Sequence, residues 1–452
     1  MDKDIKYIGL VGFHILIGIL LYAIPPFRSP FYLAIISYFI FRIITAPNHK
    51  KTFEVLLACS YIIGGEAMFR MTSGGLFYEI SKYLVVLFVL FGMFYKGISG
   101  KGYPYFFYLI ALVPAVVVAS VNLRYDLNFR TSIAFVLSGP VCLGASALFC
   151  YDKKISQQQI LDVILYMSLP IVSMVTYLYF YTPSLKSILR GTDSNFATSG
   201  GFGPNQVATL LGLGMFAFTV RLFIKSPSLI LKFINGFILA FISYRGIITF
   251  SRGGVFAAII MIGAFLFLLY TKSAYQRKQQ IIFTFIMFCM LGAATWIVSS
   301  TRTSGLIDKR YANQDELGRD KNDISTGRGE LFLEELEGFL DNPFLGVGAS
   351  GMKNLRLETE GVIITSHNEV SRLLSEHGML GIFILSILIF KPLAYRTQHK
   401  KNLFFYAFLV FWFATINHSA MRLAAPGFVY ALSLLNITNE KRVIHRKSIA
   451  KL

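Results

Sequence analysis

Apolar segments long enough to cross a membrane recur along the whole 452-residue chain and limit what it can fold into. A helix needs about 20 apolar residues to cross the hydrocarbon core of a bilayer. We therefore predict an all-α, polytopic transmembrane bundle of about 12–14 spans, in which the second span is short and the last two are the weakest. The fourteen predicted segments lie near residues 5–24, 31–46, 53–70, 76–95, 103–121, 131–150, 160–180, 205–224, 229–249, 253–271, 280–299, 378–395, 403–417 and 422–437.

The composition excludes a soluble globular enzyme, a disordered chain and a fibrous repeat. Hydrophobic residues make up 55% of the chain and the mean hydropathy is +0.59. Charged residues make up 15%, where about 25% is usual in soluble proteins. A net charge of +19 would suggest nucleic acid in a soluble protein. Here membrane topology explains the excess of basic residues, so we predict the lipid bilayer as a partner and no nucleic acid.

The distribution of Lys and Arg predicts the orientation of the spans. Cytoplasmic loops of membrane proteins carry an excess of these residues. If the N-terminus is placed inside, the inner segments carry 24 Lys and Arg and the short outer loops carry nine. The pattern predicts a multi-pass membrane protein with both termini cytoplasmic. The first span lacks a cleavage-site pattern and is expected to be a retained anchor.

One long polar segment, residues 300–376, interrupts the series of spans on the outer side. It divides the chain into an N-terminal bundle (1–299), a large periplasmic loop (300–376) and C-terminal spans with a basic tail (377–452). Within the loop, residues 329–340 place Phe332, Leu336, Phe339 and Leu340 on one helical face, with acids opposite. This pattern predicts a helix lying with its apolar face on the bundle.

Charged residues on the outer side are mostly arginines, whose planar guanidinium groups bind phosphate bidentately. Several of them converging at one membrane face would suit a lipid diphosphate. The alternative is that each one snorkels to the surface or pairs locally, as Glu66 and Arg70 could at i, i+4. The candidates are Arg70, Arg190, Arg245, Arg252 and Arg422, with Lys82 one turn into the fourth span.

Two further outer-side features point to chemistry. Residues 200–205 (GGFGPN) open the eighth span, where free N–H groups at a helix start favour an anion, although such turns also simply begin helices. His367 ends the long loop, where a neutral imidazole could take a proton from a hydroxyl, although a loop histidine is more often inert. Acids, His and Cys show no metal-ligand spacing, so no metal is predicted. No nucleotide-binding motif is visible either, and no cofactor is predicted.

Several short motifs, in this order and spacing, resemble the O-antigen ligase/polymerase superfamily. Together they cover residues of about 190–385, and their joint occurrence is more specific than any one of them. The motifs are GPNQ at 203–206, SRGG at 251–254, STGRGE at 325–330, DNPFLGVG at 341–348, SHNE at 366–369 and EHGMLG at 376–381. The chain departs from the resemblance in one respect, because fourteen spans are predicted where ligases usually have twelve.

The resemblance implies a multispanning fold of the GT-C type. It also implies transfer of a glycan from undecaprenyl diphosphate to an acceptor on the periplasmic side, without a nucleotide. The loop histidine of the family corresponds to His367, and its phosphate-binding arginines correspond to Arg252 and less securely to Arg190. Arg245 and Arg328 are candidates by proximity. Asn205, Asn368, Arg70 and Lys82 complete the set of possible site residues.

Two questions stay open at this stage. A ligase would transfer the glycan to lipid A core or to a protein hydroxyl, whereas a polymerase would transfer it to another lipid-linked glycan, and nothing in the sequence separates these acceptors. A transporter that flips a lipid-linked glycan would also need arginines for the diphosphate. It would not need an ordered outer loop that ends in His-Asn.

Overall fold

The structure, a computed structural model, describes residues 2–123, 128–182, 184–185, 188–189, 191–321, 323, 325 and 327–438. Helices dominate it. In chain order they are α1 (Asp2–Ala23), α2 (Arg28–Thr45), α3 (Lys51–Met71), α4 (Ile80–Lys96), α5 (Tyr103–Ala111), α6 (Val113–Asn122), α7 (Phe129–Cys150), α8 (Gln157–Tyr181), α9 (Pro204–Ile224), α10 (Leu229–Ile247), α11 (Arg252–Thr271), α12 (Tyr275–Arg302), α13 (Leu306–Tyr311), α14 (Arg328–Asp341), α15 (Gly351–Glu360), α16 (Glu369–His377), α17 (Met379–Gln398), α18 (Phe405–Ser419) and α19 (Ala425–Leu432).

The predicted all-α transmembrane architecture is confirmed. Among the described residues, 11 helical segments are long and apolar enough to cross a membrane. They coincide with eleven of the fourteen predicted spans, and helices α5 and α6 together form one of them. The remaining predicted spans correspond to shorter helices, α4, α18 and α19, of 17, 15 and 8 residues.

Hydrogen bonds between loop residues identify two opposite ends of the bundle. At one end, which we call the lysine end, Lys153 Nζ donates to the carbonyl of Lys96 at 2.9 Å, and Lys272 donates to the carbonyl of Lys400. At the other end, the arginine end, Arg70 donates to the carbonyl of Arg422 at 3.2 Å. The loops predicted to be cytoplasmic therefore meet at one end of the bundle.

The short helix α19 still connects the two ends. Before it, the amide of Ala424 donates to Glu66 at the arginine end. After it, a three-residue strand β2 (Asn436–Thr438) pairs in parallel with β1 (Lys154–Ser156) at the lysine end. Residues 423–435 are all buried in protein, so their non-helical backbone is shielded from lipid, which is the condition under which such backbone is tolerated at membrane depth.

The core is formed by helices that are buried on all sides. In α3, 94% of the membrane-crossing window is buried, and in α8 and α9 the figure is 83%, whereas in α12 it is 11%. A helix that is apolar all round is stable either inside a bundle or facing lipid. The first three therefore form the centre, and α12 lies at the periphery against α10.

The loop helix predicted over residues 329–340 is confirmed as α14, but the prediction of its packing face was wrong. Its buried residues are Glu335 and Gly338, whereas Leu340 is 66% exposed. Glu335 turns inward because α15 and α16 supply polar partners for its carboxylate. Partner chemistry from other helices therefore decided the orientation of α14, rather than its own apolar pattern.

Candidate functional site

Segments distant in sequence meet around His367 at the arginine end. His367 precedes α16, and its carbonyl accepts a hydrogen bond from Ala420, in the turn between α18 and α19, at 3.1 Å. His367 lines a small cavity. The cavity is lined by Arg328, Leu331, Phe332, Glu335, Ser366, His367, Asn368 and Asn417. The loop histidine therefore faces a polar cavity that the first turn of α14 closes.

The ring of His367 is held neutral. Burial is the largest cause that lowers its pKa, to about 3, and the positive charges of Arg422 and Arg328 lower it further. Its Nδ1 is buried and has no hydrogen-bond partner in the described structure. A neutral imidazole with a free nitrogen can accept a hydrogen bond from a hydroxyl group.

Arg252 begins α11 and belongs to a cluster of guanidinium groups. It lies 3.5 Å from the carbonyl of Arg310 and from Asn313 Oδ1. Burial lowers the pKa of both Arg310 and Arg328, and in each case the charge of Arg252 lowers it further. The three side chains are therefore close enough to repel one another.

Arg422 joins this cluster from the turn between α18 and α19. Its Nη2 donates to Thr365 Oγ1 at 2.6 Å and to the carbonyl of Ser366 at 2.8 Å. These bonds fix the backbone immediately before His367. Arg422 therefore fixes the backbone that positions His367, and its positive charge helps to lower the pKa of the ring.

Carboxylates do little to offset the charges of Arg310, Arg328 and Arg422. Within the described residues, the one ion pair made by these three arginines joins Arg310 to Asp193 at 3.4 Å. Asp193 also pairs with Lys321 at 2.9 Å, and its side chain is 78% exposed. Like charges in a partly buried site raise the free energy unless an anion is present. The arrangement is suited to binding a multiply charged anion such as a diphosphate.

Two of the possible site residues support the cluster through hydrogen bonds. Asn205 Oδ1, in the first turn of α9, accepts from Ser251 Oγ at 2.7 Å and so ties α9 to the residue before Arg252. Asn368 caps α16, and its amide also donates to Asn417 at 3.1 Å.

The charges that act on His367 do not include those of Arg70, Lys82 and Arg245, although Arg70 donates to the backbone carbonyl of Arg422. Arg70 and Lys82 belong to a buried ion network, in which Arg70 pairs with Glu66 at 2.6 Å and Lys82 with Glu79 at 2.5 Å. The i, i+4 pair suggested by the sequence is therefore present. Arg245 is buried at the end of α10, where it donates to the carbonyl of Thr198 at 3.2 Å. Arg190 lies outside the described residues.

His418 and Arg310 were missed as site residues by the sequence analysis. His418 is buried near the end of α18, and neither ring nitrogen has a hydrogen-bond partner in the described structure. Its ring occupies the space that a Cβ atom on Gly253 would need, at 2.6 Å. In the sequence, Gly253 was the one residue that indicated a close neighbour beside Arg252. No motif marks Arg310 or His418.

The glycines of residues 341–348 shape a wedge that enters the bundle beside α6 and α16. The amide of Val347 donates to the carbonyl of Ser375 at 2.9 Å, and Ala349 donates to the carbonyl of Ala115 at 2.9 Å. Gly346 and Gly348 have positive φ angles of 70° and 88°. Only glycine adopts this backbone without strain. The motif therefore seats the loop, and α16 with it, in the bundle.

We predict that Gly346→Ala lowers the thermal unfolding midpoint of the purified protein far more than Gly361→Ala. At Gly346 a Cβ atom would lie 2.4 Å from the backbone carbon of Glu376, whereas at Gly361 nothing lies within 4 Å. Both positions have nearly the same φ, 70° and 69°, so both variants carry a similar strain of about 1–2 kcal/mol. Equal midpoints for the two variants would contradict the wedge.

A buried carboxylate positions the segment that carries His367. Glu335 of α14 accepts hydrogen bonds from Ser371 Oγ at 2.5 Å and Ser366 Oγ at 3.1 Å. Arg356 of α15 donates to the same carboxylate at 3.2 Å. Glu335 therefore links α14 to α15, to α16 and to Ser366, the residue before His367.

For the glycan transfer that the sequence resemblance implies, we expect Glu335→Gln to lower kcat about 10-fold with little change in KM for the donor. Weakened bonds to Ser366 and Ser371 cost about 1–3 kcal/mol and loosen the histidine without removing a phosphate-binding group. Glu337→Gln, on the exposed side of the same helix, is the control. A change in donor KM alone would show that Glu335 does not position His367.

A family comparison bears on this site. Residues 236–386 match the family model described as O-antigen ligase. This match supports membership of the O-antigen ligase superfamily. It also supports a function of the ligase or polymerase type in general. The matched region contains Arg252, Arg310, Arg328 and His367, whereas His418 and Arg422 follow it. A search of curated proteins found no match to the chain.

Proposed function

We propose that the protein transfers a glycan from an undecaprenyl-diphosphate donor to a hydroxyl acceptor at the periplasmic membrane face. The observation that carries the proposal is a series of neighbouring arginines that leads to His367. Arg252 lies near Arg310 and Arg328, and the charges of Arg328 and Arg422 reach the neutral ring of His367. A diphosphate needs cationic donors, and an attacking hydroxyl needs a proton acceptor. The match of residues 236–386 to the O-antigen ligase family supports the same type of chemistry.

In the proposed reaction, the acceptor oxygen forms a bond to the anomeric carbon while the bond from that carbon to the diphosphate oxygen breaks. The hydroxyl proton passes to His367, and negative charge builds on the departing diphosphate. Guanidinium groups stabilise that charge as it develops, which lowers the barrier more than it stabilises the bound donor. Attack from the face opposite the leaving group gives inversion at the anomeric carbon.

Binding of the donor would also raise the proton affinity of His367. The charges of Arg422 and Arg328 help to depress the pKa of His367. A bound diphosphate offsets these charges and so raises the proton affinity of the imidazole when the acceptor is to be deprotonated. The diphosphate is a good leaving group, so the proposal invokes no metal and no nucleotide.

Transfer and transport are separated by one experiment. The purified protein in proteoliposomes is given an undecaprenyl-diphosphate-linked glycan and a hydroxyl acceptor, and free undecaprenyl diphosphate is measured. We expect its release together with a glycosylated acceptor. Movement of the donor across the bilayer without release would instead show a flippase. Lipid A core, a protein and a second lipid-linked glycan, offered as separate acceptors, distinguish a ligase from a polymerase.

We propose that the site lies on the periplasmic side of the bacterial inner membrane, and the charge distribution supports this orientation. Lys and Arg of the loops predicted to be cytoplasmic lie at the lysine end, and His367 lies at the arginine end. A cysteine that replaces exposed Ser304, between α12 and α13, should react with an impermeant thiol reagent added outside intact cells. Reaction only after lysis would reverse the orientation. The exposed native Cys289 is replaced first.

A further inference from the structure

A groove separate from the His367 cavity lies at the arginine end between α8, α10 and α12. Its apolar wall includes Phe237 and Phe241 of α10 together with Leu291 and Val298 of α12. Phe237 is 64% exposed and Val298 is 50% exposed. Since α12 lies at the bundle periphery, these side chains face the bilayer.

The groove ends on a buried arginine that has no counter-ion. Arg245 is 2% exposed and lines the groove. Its Nη2 donates to the carbonyl of Thr198, but its Nε has no hydrogen-bond partner in the described structure. No described carboxylate forms an ion pair with it. An unpaired buried charge is costly, and an anion that entered the groove would offset that cost.

A second arginine lies on the opposite wall. Arg302, the last residue of α12, is exposed and lines the same groove. Both guanidinium groups are close enough to the Tyr244 hydroxyl to act on it electrostatically. Thr182 and Thr295 add hydroxyl groups to the lining. Two cations and several hydroxyls at the end of an apolar groove match the phosphate and the chain of a lipid.

We propose that this groove binds a phosphate-bearing lipid, with its phosphate at Arg245 and Arg302 and its chain between α10 and α12. The site is distinct from the diphosphate cluster. The arginine charges that act on His367, Arg310 and Arg328 are those of Arg252, Arg328 and Arg422, and Arg245 is not among them. The lipid is either a glycerophospholipid of the bilayer or a polyprenyl phosphate.

Native mass spectrometry of the purified full chain tests this site. The glycerolipid arm compares phosphatidylglycerol with diacylglycerol, and the isoprenoid arm compares undecaprenyl phosphate with undecaprenol. The isoprenoid arm uses an Arg252→Ala background, so that the diphosphate cluster contributes less. We expect at least one phosphate-bearing lipid to bind at least 10-fold more tightly than its phosphate-free partner. The arm that shows this difference identifies the source of the lipid.

Variants of groove residues test whether the lipid binds in the groove. Arg302→Gln should weaken the phosphate-bearing lipid at least 10-fold, and Val298→Trp should block the groove without removing a charge. Arg302 is exposed, so this variant avoids the folding risk of changing Arg245. Arg130→Gln, an exposed arginine at the same end of the bundle, is the matched control.

The proposal fails if Arg302→Gln binds like the wild type or if phosphate-free lipids bind equally well. His367→Ala should retain the lipid, and its loss in that variant would contradict a separate site. Because lipid binding is measured without transfer, failure of this site and failure of the proposed function give different results.

Discussion

Replacement of His367 by alanine is expected to lower the rate of glycan transfer by about 10²–10⁴-fold, the usual contribution of a positioned acid or base. The imidazole lines the small polar cavity, and its buried Nδ1 is unpartnered. The variant should still fold. The described hydrogen bond between residue 367 and the α18–α19 turn is accepted by the backbone carbonyl, which alanine retains. Release of undecaprenyl diphosphate by the purified variant is the measurement.

The pH dependence gives a second test of His367. Its pKa of about 3 leaves the ring neutral throughout the usual assay range. Because kcat/KM reports the free protein, it should show no loss from histidine protonation between about pH 8 and pH 5. An acid limb near pH 6.5 that disappears in His367→Ala would show that the ring titrates as an ordinary exposed histidine.

The lowered pKa of His367 also makes the stability of the folded protein depend on pH. The unfolded chain binds a proton at its ordinary pKa of 6.5, whereas the folded ring does not until about pH 3. The contribution of His367 to stability is therefore intact above pH 6.5 and is lost progressively as the pH falls toward 3. His399→Ala, in a half-buried residue at the lysine end, is the control for transfer and unfolding. Wild-type transfer by His367→Ala would reject the assigned role.

Arg252→Ala is expected to reduce kcat by about 10²–10³-fold, equivalent to roughly 2.7–4 kcal/mol of barrier. Arg252 lies within interaction distance of Arg310 and Arg328, so its charge adds to theirs. The guanidinium would therefore contribute most when negative charge accumulates on the departing diphosphate. Steady-state transfer with varied donor separates kcat from KM.

Arg319→Gln provides the matched control for that loss of charge. Arg319 is in the same outer segment, but its side chain is 73% exposed and pairs locally with Asp315. We expect this variant to keep near-wild-type kcat. If Arg252→Ala retained full kcat while binding the donor normally, the arginine would not stabilise the leaving group.

Much of the fold could be predicted because it depends on local properties of the chain. Apolar length predicted the eleven long spans within a few residues of their observed ends, and loop charge predicted which loops meet at one end. His367 was identified from the SHNE motif. The spans predicted over residues 403–417 and 422–437 correspond to α18 and α19, but their short helical lengths could not be predicted, since burial against other helices compensates for their few residues.

The sequence by itself determined that the chain is a bundle of apolar helices with arginines at one end, because these features depend on neighbours along the chain. Only the tertiary structure decided which arginines act together. Glu66 pairs with Arg70, and Thr198 accepts a bond from Arg245, whereas Arg252 meets Arg310 and Arg328 from distant segments. The physical reason is that the partner of a charge is set by how helices far apart in sequence pack together.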